Sequence, residues 1–169
     1  MVSEHAAAAP PTKMGLRRGD TVTIRTLLHA ALISSANDAA VALAEAVAGS
    51  EEAFVELMNR KAASLGLHNT LFINPNGLPG PGQYTTALEL AEIMRETVRH
   101  PLLKEILATR VAEVSTAGGR SKTITNTNHL LLSDQVMMGK TGYTREARHC
   151  FVGAGDCGSG QLIVALLGE

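Results

Sequence analysis

Two short polar segments in this chain bring together residue types that move protons and hold anions. In Ser35-Ala36-Asn37 a hydroxyl and a carboxamide flank one alanine, so a rigid turn there presents donors and acceptors to a bound peptide. In Gly139-Lys140-Thr141-Gly142 a cation and a hydroxyl lie between glycines, which let a ligand come close to the backbone. Each is unspecific by itself. An S-x-N triplet is most often a helix cap, and K-T-G is most often a solvated lysine on an edge strand. Lys140 is not a phosphate-loop lysine, because G-x-x-x-x-G-K-[ST] needs a glycine where this chain has Asp134. The histidines (His5, His29, His68, His100, His129, His149) show neither H-x-x-x-H nor H-E-x-x-H spacing. Cys150 and Cys157 match no zinc or redox pattern and read as packed or idle thiols. No metal and no cofactor is expected.

These segments need elements to hold them. Ile24, Leu27, Leu28, Ala31 and Leu32 recur on one helical face behind Thr23, a capping residue, and the run meets the turn-forming cluster Ser34–Asn37. Ala40, Leu43, Ala44 and Val47 make a second stripe that stops at Gly49. Ser50 caps a third helix along Phe54, Leu57, Met58, Ala62 and Leu65, and Asn74 to Gly82 is a loop rich in turn residues. Thr86 and Glu89 form a capping box for a fourth helix along Leu90, Ala91, Met94 and Val98; Pro101 interrupts it before a short helix to about Leu107. Beyond residue 110 the period changes. Val111–Ser115 and Lys122–Thr125 flank Gly118-Gly119 as a hairpin, and further strands are expected at Val136–Gly142, His149–Ala154 and Leu162–Leu167. Helices first and strands last argue for an α+β fold in which a helical region precedes an antiparallel sheet. The expected organisation is one domain over residues 1–169: an irregular arm to 19, a mainly helical part over 20–108 and a mainly strand part over 109–169.

Composition bounds the partners. The chain has 169 residues, 45% of them hydrophobic, and a formal net charge of −1. It offers no field to draw nucleic acid, and five aromatic residues do not make a base-stacking platform. The hydrophobic content excludes disorder. Met1 to His5, followed by four alanines and Pro10-Pro11, has neither the basic start nor the apolar core of a secretory signal.

Taken together and in this order, the two polar segments match two of the three motifs of penicillin-recognising serine enzymes, S-x-N and K-T-G. Around them, Ser35 to Ala44, Gly49-Ser50-Glu51, Met58-Asn59, Leu65-Gly66-Leu67, Asn69-Thr70, the Asn74–Leu78 loop, Gln83 to Ala87, Asn126 to Leu131 and Lys140 to Thr144 resemble the low-molecular-weight D-alanyl-D-alanine carboxypeptidases. The resemblance runs from about Met14 to Gly168. It implies a partial serine β-lactamase/D,D-peptidase-like fold and a serine acyl-transferase of the periplasm or cell envelope. The implied ligands are peptidoglycan stem peptides and β-lactams. Carried over residue by residue, Ser35 shuttles a proton to the leaving amine and Asn37 holds the substrate's amide. Lys140 attracts the terminal carboxylate and polarises Ser35, and Thr141 binds that carboxylate. Backbone amides around Gly142, Tyr143 and Thr144 border the oxyanion hole. One departure is Arg148, where many relatives carry glycine.

The third motif is not in this sequence: no serine has a lysine three residues on, so the nucleophile is unassigned. The resemblance places a nucleophile helix before this stretch of chain and a closing helix after it. Three readings follow: a serine D,D-carboxypeptidase that depends on such a segment, a module that binds stem peptides or β-lactams without acylation, and a self-associating core. The last rests on an expected open sheet edge near Leu162–Leu167.

Overall fold

The computed structural model describes residues 1–132, 137–158 and 160–169. Val136, placed in a strand by the sequence, lies outside them, as do Asp134 and the serines at 133 and 159. Among the described residues six helices precede five strands, in the expected α+β order.

The arm differs from an irregular segment in one respect. Residues Glu4–Ala8 form a one-turn helix, α1, because the Ser3 hydroxyl caps the Ala6 amide and Glu4 favours the positive end of the helix dipole. Then come α2 (Ile24–Ser34), α3 (Asn37–Ala48) and α4 (Glu51–Ser64). The caps are those the sequence indicates: Thr23 receives the Thr26 amide and Ser50 the Ala53 amide. The turn between α2 and α3 is tighter than Ser34–Asn37. Ser34 stays helical, its hydroxyl donating to the Ala30 carbonyl at 2.9 Å, and Asn37 already begins α3. Only Ser35 and Ala36 turn the chain. Helices α5 (Ala87–Thr97, capped by Thr86) and α6 (Pro101–Leu107, opened by proline) complete the helical part.

The strands make two sheets rather than one. β1 (Val111–Ser115) and β2 (Ser121–Thr125) pair as an antiparallel hairpin. β3 (Met138–Thr144), β4 (Arg148–Asp156) and β5 (Gln161–Leu166) form a separate antiparallel sheet in the order β3-β4-β5. The hairpin buries Val114 and Ile124 against Leu27, Ala30 and Ile33 of α2. The sheet buries Met138, Val152 and Ala154 against Met94 of α5, its C-cap Val98 and Leu107 of α6. Two apolar clusters thus share the helical layer between them, and α2 reaches both through Leu32.

Gly139 of β3 and Gly153 of β4 are required by close packing. A Cβ on Gly139 would lie 2.5 Å from the Val152 carbonyl oxygen and 2.9 Å from the Phe151 ring, and one on Gly153 would lie 2.5 Å from that ring. The ring therefore covers both glycines. Arg148 opens β4 with φ +58°, a left-handed conformation that glycine adopts without penalty. Among the described residues no helix is long and apolar enough to cross a membrane.

Candidate active site

Ser35 is held in an unusual place. As the C-cap of α2 it has φ 55° and ψ 39°, a left-handed conformation, and the next amide, Ala36 N–H, returns to the Ala30 carbonyl at 3.1 Å. A non-glycine residue costs about 1–2 kcal/mol there, and such strain concentrates at functional sites. The effect is to lift the Ser35 hydroxyl out of both helices. Lys140, in the middle of β3, comes to meet it: its ammonium donates to Ser35 Oγ and, at 2.6 Å, to the Thr141 carbonyl. The two segments singled out in the sequence, 105 residues apart, therefore touch. Burial of the Lys140 ammonium pushes its pKa down from 10.5 to about 8.

The strand presents its free edge to this site. The Val152 carbonyl points at β3, since it crowds the Gly139 Cα, and Val152 is the register partner of Lys140. Lys140 and Gly142 therefore turn their backbone groups to β4, and Thr141 and Tyr143, by the two-residue period, turn theirs to the edge that has no neighbouring strand among the described residues. Of the amides at Gly142, Tyr143 and Thr144 that the sequence suggests for an oxyanion hole, the register brings that of Tyr143 to the free edge. The Thr141 hydroxyl shares a 2.7 Å hydrogen bond with the Thr127 hydroxyl, and the Thr127 amide donates to Ile33 O at 3.0 Å, just before the Ser35 turn. Thr127 is a site residue that the sequence reading missed. The signal available was the run Asn126-Thr127-Asn128, three short polar side chains in succession. Its outer members hold the segment: Asn126 Nδ2 donates to Thr109 O at 2.9 Å, and Asn128 Nδ2 to Met137 O at 2.7 Å.

Asn37 is buried and turned toward the arm. Its Nδ2 donates to Pro10 O at 3.1 Å and Pro11 O at 3.0 Å, and its backbone amide to Thr12 O at 2.8 Å. Both amide protons are thus committed to the arm, and the remaining polar atom of the side chain, Oδ1, is an acceptor. The neighbouring Asp38 is fully buried and accepts from the amides of Met14, Gly15 and Leu16 at 2.8–2.9 Å. This carboxylate fastens the arm across the start of α3. The Cys150 thiol donates to Ala147 O at 3.4 Å, and Cys150 and Cys157 form no disulfide.

The contact between Lys140 and Ser35 brings together the S-x-N and K-T-G segments, two of the motifs of penicillin-recognising serine enzymes. A family model described as D-alanyl-D-alanine carboxypeptidase matches residues 1–169. The chain belongs to that family. It is 36% identical over 167 residues to the D-alanyl-D-alanine carboxypeptidase DacF of Bacillus subtilis, covering 98% of this chain and 43% of the relative. It is also 36% identical to DacB2 of Mycobacterium tuberculosis, over 91% of this chain and 53% of the relative. The chain spans about half the length of these curated relatives. Among solved structures, the D-alanyl-D-alanine carboxypeptidase of Mycobacterium tuberculosis superposes with a TM-score of 0.90 at 35% identity, covering 98% of this chain and 63% of that one. A variant of the Streptomyces K15 DD-transpeptidase gives 0.91 at 29% identity, over 99% and 70%. The α+β fold is that of the DD-peptidases.

Proposed function

We propose that this chain is the carboxylate-binding and proton-relay part of a serine D-alanyl-D-alanine carboxypeptidase of the cell envelope. In this reading it grips the free end of peptidoglycan stem peptides and binds β-lactams at the same place. The observation that carries the reading is the meeting of Lys140 with Ser35 beside the free edge of β3. A C-terminal D-alanine carboxylate sits against the Lys140 ammonium and the Thr141 hydroxyl, a charge-assisted pair in a partly desolvated place. Asn37 Oδ1 accepts the substrate's amide N–H, and the Tyr143 amide faces the carbonyl oxygen that becomes negative on attack. Ser35, polarised by Lys140, passes a proton to the departing amine. The attacking serine is not assigned among these residues, since no Ser-x-x-Lys occurs.

The test is to incubate the 169-residue chain with a penicillin and follow two readouts, reversible binding by calorimetry and covalent adduct by intact mass. Saturable binding that Lys140→Ala abolishes supports the carboxylate site. An adduct of the drug's mass further makes a serine of this chain the nucleophile. Absence of both, with the protein shown to be folded, overturns the reading.

A further inference from the structure

A serine attacks a carbonyl when a base within hydrogen-bond reach takes its proton. Among the described residues no carboxylate pairs with Lys140; its amine meets the Ser35 hydroxyl and the Thr141 carbonyl. We propose that Ser35 and Lys140 form a nucleophile–base pair of their own, which takes up the acyl group of small uncharged activated esters. The inference goes beyond the proton-relay role and needs no carboxylate bound at Lys140.

Orientation makes the amine a base. A neutral amine has two hydrogens and one lone pair. The Thr141 carbonyl, 2.6 Å away, holds one hydrogen, so the lone pair can accept from the Ser35 hydroxyl. Burial supplies the neutral form. With a pKa of about 8, roughly a tenth of Lys140 is unprotonated at pH 7, against fewer than about one in a thousand for a solvated lysine.

The backbone presents the nucleophile. The left-handed conformation of Ser35, φ 55° and ψ 39°, sets its hydroxyl between the end of α2 and the start of α3, much as a sharp strained turn exposes the serine of other hydrolases. Neighbouring hydroxyls are already committed. Ser34 donates to the Ala30 carbonyl at 2.9 Å, Ser3 to the Glu45 carboxylate at 2.8 Å and Ser64 to the Lys61 carbonyl at 2.7 Å. Ser35 and Lys140 are both half-buried, which suits a small acyl group. The Tyr143 amide, turned to the free edge of β3, is a donor for the oxygen that becomes negative.

In the first step Ser35 Oγ gives its proton to Lys140 Nζ and bonds to the acyl carbon. The bond from that carbon to the leaving oxygen breaks, the leaving group departs with the electron pair, and Lys140 releases its proton to solvent. Water, giving a proton to Lys140, then attacks the Ser35 ester, frees the acid and restores the hydroxyl.

The experiment treats the 169-residue chain with p-nitrophenyl acetate, follows nitrophenolate release and locates the acetyl group by peptide mapping. Surface amines take acetyl as amides that hydroxylamine leaves intact, whereas an ester on Ser35 is cleaved. The expected result is that ester, formed at a rate that rises about tenfold per pH unit up to about pH 8 and then levels. Ser35→Gly, which suits the left-handed backbone and keeps the turn, abolishes it; Ser34→Ala retains it. Lys140→Met slows its formation by about 100-fold or more, the low end of what a general base contributes. Acetyl on other residues alone, or a Ser35 ester formed as fast in Lys140→Met, overturns the pair. Because the ester has no carboxylate, the two readings of the site fail separately. No ester on Ser35, with penicillin binding that still depends on Lys140, overturns the nucleophile and leaves the carboxylate site standing. A Ser35 ester in a protein that binds no penicillin supports the pair and overturns the carboxylate site.

Discussion

Lys140 carries two pH dependences of opposite sign, and together they isolate its role. Because burial lowers its pKa from 10.5 to about 8, the folded protein gives up this proton sooner than the unfolded chain does. Between about pH 8 and 10.5 the unfolded state therefore binds more protons, and stability rises with pH across that window. A Lys140→Met variant lacks the rise, so the parent's urea-unfolding midpoint climbs relative to the variant's from pH 8 toward pH 10. Ligand binding moves the other way. A carboxylate needs the ammonium form, so affinity for a D-alanyl-D-alanine peptide falls by up to tenfold per pH unit above about 8. Affinity that stays flat from pH 7 to 10 removes Lys140 from the carboxylate site. At this scale the sequence was only partly legible. Ser35, Lys140 and Thr141 carry motif-level signals, but Thr127 contacts Thr141 through a fold that no local pattern encodes. Arg148 drew notice as a departure from glycine, and its φ of +58° supplies the physical reason glycine suits that position.

The elements were legible where the signal is local. Hydroxyl caps at Thr23, Ser50 and Thr86 mark helix starts because each satisfies an amide within three residues of itself. The separation of the strands into two sheets was not legible, since pairing depends on which apolar faces the helical layer covers. Nor was the dependence of the Ser35 turn on the arm. There Asp38 is decisive: one fully buried carboxylate receives three arm amides, and the adjacent Asn37 is tied to the carbonyls of Pro10, Pro11 and Thr12. Asp38→Ala leaves two buried donors, the Met14 and Leu16 amides, and the part-buried Gly15 amide without their acceptor, a buried one costing about 1–3 kcal/mol. The expected loss is about 3 kcal/mol or more in urea unfolding, with weakened penicillin binding because the arm no longer fixes Asn37. Asp38→Asn keeps the shape and one acceptor, and loses less. A loss under about 0.5 kcal/mol in Asp38→Ala, the range of ordinary surface changes, means the arm is held by other contacts.

For the molecule as a whole, the two edges of the β3-β4-β5 sheet differ in kind. The β3 edge faces Ser35 and serves the site; the β5 edge has no strand beside it among the described residues. Next to that edge the sheet face carries Leu162 and Leu166, 50% and 48% exposed. An open edge with apolar side chains is a template for pairing, and an antiparallel pairing of β5 with β5 of a second copy is self-complementary about a twofold axis. The 169-residue chain is therefore expected to show a mass that rises from monomer toward dimer with concentration in sedimentation. Leu162→Lys combined with Leu166→Lys, which places charges along the edge, returns it to a monomer. Because β3 lies on the far side of the sheet, this double variant binds penicillin as the parent does, so assembly and ligand recognition separate in one protein. A strict monomer at high concentration in the parent shows that the β5 edge does not recruit a second copy. A dimer that persists in the double variant moves the contact to another surface.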